Sequence, residues 1–262
     1  MTRALRRFLS VFTLVSRVPV RVSFEPDLSR SDFWLPVIGL PAAVVAIAGM
    51  LLFRFLFRDA LLGALGALFF EYYCFNVFHL DGLLDSADAL TGQASAEKRL
   101  EILKDSRIGS YAFFFGFFVL AGSAAALATL LRLSLAAALA ALLAAPVSGR
   151  SACAMVPLLT KPARPSGLGS LMAGGRASRL ALGWLAGSLP LIAGALLIGH
   201  PALWVLAVGA SLVGALGAGL LVSRIYRRGI GGFTGDALGA AVVAGELFCI
   251  LLLAALLPRL SW

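Results

Sequence analysis

Charged residues are scarce in this chain: Asp, Glu, Lys and Arg together make up 13% of its 262 residues. Soluble globular proteins carry about a quarter, so a soluble globular domain is excluded. Cysteine is rarer, with three, and histidine rarer still, with two. Cys74, Cys153 and Cys249 lie far apart, each inside an apolar run. That spacing excludes a disulfide framework or a zinc cluster and reads as buried structural thiols. No Ser/His/Asp or Cys/His arrangement is evident. No cleavable leader is expected either, because Met1 to Arg7 leads into only about ten mixed residues before Arg17, with no small-residue cleavage site. The N-terminus is therefore expected to stay in the cytoplasm.

What fills the chain instead is hydrophobic, at 60% of residues and a mean hydropathy of +0.95. The apolar residues fall into runs long enough to cross a bilayer, which takes roughly twenty residues of helix. Phe33 to Phe53 is a run of 21 uncharged residues, and Ala60 to Leu80 is broken only by Glu71. After a polar stretch from Asp81 to Gly109 come 24 uncharged residues from Ile108 to Leu131, then Leu133 to Leu159 with Arg150 as its only charge. Leu180 to Ser223 holds 44 residues without charge when His200 is counted neutral. The turn signal Gly199-His200-Pro201 divides that run in two. Ala237 to Pro258, carrying Glu246, completes seven spans. The spacing predicts an all-α, polytopic helical bundle formed as one membrane domain over residues 1–262, with no internal repeat and no linker.

Net charge is +9, which in a soluble protein would suggest nucleic acid. Its distribution points elsewhere. With the N-terminus inside, the cytoplasmic segments 1–32, 81–109, 160–179 and 223–236 hold six, four, four and three Lys and Arg, seventeen together. The opposite side holds four: Arg54, Arg58, Arg132 and Arg259. Seventeen against four is the positive-inside asymmetry, so the basic balance records topology and no nucleic-acid partner is expected. Because the outer loops are very short, function is expected on the cytoplasmic face, at segments 79–109 and 224–240.

Six of the 13 acidic residues fall between Asp81 and Asp105. At 100° per residue, Asp81, Asp85 and Asp88 sit at about 0°, 40° and −20°, on one face of a helix. No base stands at the matching spacings to neutralise them. Hard oxygen ligands on one face suit Mg²⁺ or Mn²⁺, with coordination sites left for phosphate oxygens; a solvated polar face ending the second span is the alternative. Lys104 and Arg107 lie in the same segment and are suited to phosphate, while Lys98 and Arg99 read as topogenic charge. Before the last span, Gly231-Gly232-Phe233-Thr234-Gly235-Asp236 follows three arginines. Such a glycine-rich turn into a helix N-terminus lets backbone N–H groups approach an anion, although Thr234 or Asp236 could simply cap the helix. Within the spans, Glu71, Arg150 and Glu246 are costly unless paired or facing a cavity, and Glu71 with Arg150 is the pairing considered. His79 is suited either to an interfacial hydrogen bond or to catalysis.

At these residues the sequence resembles the cobalamin synthase family, the adenosylcobinamide-GDP ribazoletransferases. The resemblance rests on His79-Leu80-Asp81-Gly82-Leu83 through Asp88, on Leu100-Glu101-Ile102 with Lys104-Asp105-Ser106-Arg107-Ile108-Gly109, and on Gly231 through Ala240. Weaker similarity covers Val18-Pro19-Val20, Leu35 through Leu40 and Gly167-Leu168-Gly169. Ala89 and Val243 depart from residues common in the family. The resemblance implies a Mg²⁺-dependent phosphoryl transfer in a bacterial or archaeal inner membrane. In it the ribose 3′-hydroxyl of α-ribazole, or of its 5′-phosphate, attacks the cobinamide-linked phosphate of adenosylcobinamide-GDP and GMP leaves. It implies Asp81, Asp85 and Asp88 as metal ligands, with Asp236 completing the site. Lys104, Arg107 and the turn Gly231, Gly232, Thr234 and Gly235 would hold the diphosphate. Asp105 would orient Arg107 or assist the hydroxyl, and His79 would contact substrate. Membrane lipid is an expected partner, with other nucleotide-loop enzymes or a second copy as further candidates. A CDP-alcohol phosphotransferase also places Asp residues at a cytoplasmic helix end, but its Asp-Gly-x-x-Ala-Arg pattern is absent, since Leu83-Leu84-Asp85 follows Gly82. A transporter would concentrate charge within the membrane and break a pair of helices, whereas the acids here cluster at the interface.

Overall fold

The structure, a computed structural model, describes residues 1–165, 167–197 and 200–259. Eleven helices follow one another among them: α1 Arg3–Val15, α2 Ser31–Phe57, α3 Ala60–Glu71, α4 Val77–Thr91, α5 Ala96–Ile102, α6 Ser110–Leu133, α7 Leu135–Leu159, α8 Leu168–Leu171, α9 Ala177–Leu197, α10 Pro201–Ile230 and α11 Gly235–Leu256. Among the described residues, seven spans are long and apolar enough to cross a membrane, as the hydropathy runs predict. α3 and α4 form one of them, joined by a single π-helical turn, Tyr72–Asn76. His200 stands at the N-cap of α10 with Pro201 at its first position; Gly199 of the predicted turn lies outside the described residues.

Short polar caps explain how consecutive spans reverse. Asp59 accepts a hydrogen bond from the Leu62 N–H at the start of α3 (2.9 Å), and Ser134 does the same for Ala137 at the start of α7 (3.0 Å). Each satisfies an N–H that a helix start leaves open. α7 runs through the middle of the bundle and packs against α2, α10 and α11. Its alanine-rich sequence is buried from Ala137 to Val156 on nearly every side. Small side chains let neighbouring backbones approach, which is how membrane helices associate without a hydrophobic drive between them. Large apolar residues lie outside instead, among them Phe55, Phe113, Phe117 and Val205. In water this surface would be a liability; against lipid it is the expected exterior.

Two departures from the sequence reading shape the site. The second span does not stop at Leu80: the helix continues to Thr91, so the Asp-rich face is a rigid extension of the span. The sixth likewise runs past Ser223 to Ile230, placing Arg224, Arg227 and Arg228 on its last turns.

Candidate active site

Asp81, Asp85 and Asp88 lie along α4 as the helical spacing predicts, and α11 brings Asp236 to them. The helices touch through glycines. A Cβ on Gly82 would lie 2.8 Å from the Asp236 carbonyl oxygen, and one on Gly239 would lie 2.9 Å from the His79 carbonyl oxygen. Without side chains at these positions the two backbones meet, and the first turn of α11 falls beside the acidic face. The charges of Asp81, Asp236 and Asp88 all bear on Asp85. A second tie holds α4 from behind, where Ser86 Oγ and Tyr226 Oη are 2.6 Å apart and buried.

Asp88 has a further task. Its Oδ2 accepts from the Gly109 N–H (2.7 Å) and its Oδ1 from the Ala112 N–H (2.9 Å). A carboxylate from α4 therefore caps α6, matching the positive end of that helix. Beside it, Asp88, Ile102, Asp105, Arg107, Ile108 and Gly109 line an open depression of about 370 Å³. Arg107 donates to both oxygens of Asp105, through Nε at 2.9 and 3.1 Å and Nη2 at 2.5 Å. These bonds hold the Asp105 carboxyl down at about 2 and raise the Arg107 guanidinium. Arg107 remains 87% exposed, so the pair is an oriented cation open to solvent. Lys104 is exposed on the same loop.

The glycine-rich turn joins α10 to α11. Gly231 ends α10 with φ +77°, a left-handed cap that glycine adopts without cost. Gly232 is not in that region. Its lack of a side chain makes room for another loop, since a Cβ would lie 2.6 Å from the Lys161 carbonyl oxygen and 2.8 Å from the Ala163 nitrogen. Phe233 N–H donates to Lys161 (2.9 Å) and Ala163 N–H to Phe233 (2.8 Å). The Phe233 N–H is thereby taken up by protein. The Thr234 hydroxyl donates to Asp236 Oδ2 (3.0 Å), so Thr234 stands at the N-cap of α11 but turns its side chain to the carboxylate instead of to a helix N–H. This stitching brings in Lys161 and Arg164, and the Arg164 charge acts on Asp236. In the sequence, both read only as topogenic.

Arg99, also read as topogenic, is structural: its guanidinium donates to the carbonyls of Gly229 (3.3 Å) and Gly92 (3.2 Å), clamping α5 to the end of α10. The pairing of Glu71 with Arg150 is corrected. Arg150, fully buried, donates to Glu246 Oε1 at 2.9 Å. It also donates to Asn76 Oδ1 at 3.0 Å, and Asn76 Nδ2 donates to Glu246 Oε2 at 2.7 Å and reaches Glu71 Oε1 at 3.5 Å. His79 Nδ1 lies 3.3 Å from the same Asn76 Oδ1. Asn76, missed in the sequence, was discernible as the one amide in an apolar span. Tyr226 gave no signal among its arginine neighbours.

A divalent cation can be tested against this arrangement. Among the described residues, no three His, Cys, Asp or Glu side chains form a ready-made metal cage. The donor chemistry nevertheless fits: hard carboxylates of Asp81, Asp88 and Asp236 lie near enough for their charges to act on Asp85, and Asp81 and Asp85 make no hydrogen bond among the described residues. Asp88 is the least available of the four, with both oxygens engaged on α6.

The sequence of this protein matches the family described as Cobalamin-5-phosphate synthase over residues 7–254. It is similar to adenosylcobinamide-GDP ribazoletransferases from several bacteria. Identity is 38% with that of Alkalilimnicola ehrlichii, covering 99% of each chain. It is 34% with that of Bradyrhizobium diazoefficiens, covering 96% of this chain and 93% of the relative. With that of Escherichia coli it is 32%, covering 94% and 98%. No solved structure matches. An acidic helix face joined to a glycine-rich turn, within a seven-span bundle matched over almost its whole length, makes this chain a member of the cobalamin-5-phosphate synthase family.

Proposed function

We propose that the chain is an adenosylcobinamide-GDP ribazoletransferase. The ribose 3′-hydroxyl of α-ribazole, or of its 5′-phosphate, attacks the cobinamide-linked phosphate of adenosylcobinamide-GDP. GMP leaves, and adenosylcobalamin or its 5′-phosphate forms, the last step of nucleotide-loop assembly. The observation that carries this reading is the backbone contact at Gly82, which sets Asp236 against Asp81 and Asp85 within the family's own pattern of residues.

Phosphoryl transfer asks a protein for positioning and charge stabilisation more than for covalent chemistry. Arg107, aimed by Asp105, offers a planar fork to phosphate oxygens, and Lys104 adds a second cation on that loop. Arg164 adds a positive charge that acts on Asp236, and Lys161 lies on the same loop. Asp81, Asp85 and Asp236 are the residues to hold Mg²⁺, with Asp88 mainly fastening α6 beside them. Bound there, the ion would polarise the phosphate and offset its charge. The charge asymmetry supports a cell-membrane protein whose active site faces the cytoplasm.

Purified, detergent-solubilised protein should release GMP from adenosylcobinamide-GDP only when α-ribazole and Mg²⁺ are both supplied. No α-ribazole-dependent GMP release at any Mg²⁺ concentration would overturn the assignment. In intact cells, cysteines introduced beside Lys161 or Gly231 should resist a membrane-impermeant thiol reagent that labels those beside His200.

A further inference from the structure

A second cavity, of about 290 Å³, opens between α1, α2, α4, α7 and α11. Leu35, Phe78, Cys153 and Leu238 are among its apolar walls, while His79 and Asp236 supply the charged or imidazole side chains. None of the described lining residues is Lys or Arg. The cavity shares Asp236 with the acidic cluster, yet is distinct from the depression that holds Arg107.

These features select among the components of the proposed reaction. A diphosphate ester needs cations or many donors; the lining offers neither, and the Asp236 charge would repel it. A corrin ring is too large for a space at the small end of the roughly 300–1,000 Å³ range of ligand pockets. A lipid chain would suit the apolar walls but leave the Asp236 charge and the far ring nitrogen of His79 against hydrocarbon. α-Ribazole is a flat, uncharged, methylated bicycle joined to a ribose, apolar at one end and hydroxylated at the other. That division matches the walls.

The buried network specifies what His79 presents. Arg150 only donates, so the Asn76 atom that receives its bond (3.0 Å) is the oxygen. Asn76 Nδ2 meanwhile donates to Glu246 (2.7 Å). Facing that oxygen at 3.3 Å, His79 Nδ1 carries the hydrogen, which leaves the neutral ring a lone pair at Nε2. Resting on the transferase reading above, we infer that this cavity is the binding site for the acceptor nucleoside. Its aromatic base lies among Leu35, Phe78, Cys153 and Leu238, and a ribose hydroxyl donates to His79 Nε2 beside the Asp81–Asp85–Asp236 cluster.

Cys153 reports occupancy in the wild-type enzyme, with no turnover required. Peptide-resolved labelling by a small methanethiosulfonate should slow about tenfold or more at Cys153 under near-saturating α-ribazole. Cys249, in the other core cluster, should be unaffected, as should Cys153 when adenosylcobinamide-GDP is added alone. Failure of α-ribazole to protect Cys153, or equal protection by adenosylcobinamide-GDP alone or by added phospholipid, overturns the inference. Cys153→Phe should raise KM for α-ribazole about tenfold by filling the pocket, with KM for adenosylcobinamide-GDP unchanged. A smaller riboside of unmethylated benzimidazole should recover part of the loss. His79→Gln, which keeps an acceptor, should bind α-ribazole more tightly than His79→Leu; the reverse order removes the hydroxyl contact. If these variants do not fold, wild-type protection alone decides. Lack of GMP release by the wild-type enzyme sinks the transferase reading, whereas Cys153 protection tests the pocket separately.

Discussion

Gly82 and Asp236 meet backbone to backbone: a Cβ on the glycine would stand 2.8 Å from the aspartate carbonyl oxygen. The contact sets the spacing of the two helices that carry the carboxylates. It also explains why the Asp-Gly pair must lie where α4 crosses α11.

Gly82→Ala should therefore push α4 and α11 apart at the site. The expected cost is about 1–3 kcal/mol of stability from overpacking, read as a lower unfolding midpoint in detergent, together with a loss of turnover larger than the stability change accounts for. Wild-type turnover in this variant would show that the helices tolerate separation and that Asp236 acts independently.

The aspartates on α4 should divide by role. Asp85→Asn removes a charge from a side chain with no hydrogen bond among the described residues, so it should abolish Mg²⁺-dependent turnover while leaving thermal stability near wild type. Asp88→Asn weakens a cap of α6 and should cost about 1–2 kcal/mol of stability. Thermal unfolding and GMP release, measured on both variants, should give opposite patterns. If Asp85→Asn keeps its activity at limiting Mg²⁺, Asp85 is not a ligand.

Glu246→Gln leaves Arg150 buried with its counter-charge gone. Breaking a buried ion pair from one side costs about 3–5 kcal/mol, so the folded fraction recovered from membranes should fall sharply. Adding Arg150→Met should restore part of it, because the double variant leaves no unpaired cation. A double-mutant cycle on the unfolding midpoint checks this; strict additivity would mean that the two side chains are not coupled.

Arg107→Lys keeps the charge but loses the fork. It should raise KM for adenosylcobinamide-GDP about tenfold, with KM for α-ribazole little changed. The pH dependence follows from Asp105. Its carboxyl is lowered from the ordinary 3.8 to about 2, first by the hydrogen bond from Arg107. A lowered acid keeps its contribution above the ordinary value and loses it as pH falls toward 2. Between pH 6 and 9 the pair therefore stays charged, and Asp105→Asn should reduce turnover without moving either limb of the pH–rate profile. A shifted limb would mean that Asp105 exchanges a proton in the reaction.

Much of the architecture was legible along the chain because a bilayer imposes a one-dimensional rule: every span needs about twenty apolar residues. The acidic face was legible too, since Asp81, Asp85 and Asp88 belong to one helix whose period relates them. Contacts between distant segments have no such rule. Only the packed bundle paired Arg150 with Glu246 and bonded Asn76 to both, drew the Lys161 backbone to Phe233 and the Arg164 charge to Asp236, and gave Asp88 to the start of α6. Gly232 shows the difference most simply. Its sequence neighbours suggest a phosphate-binding turn; only the packing shows that its missing side chain also accommodates the backbone at Lys161. Periodicity governs which residues share a helix face, whereas the close approach of two backbones depends on how whole helices pack, and that packing is collective.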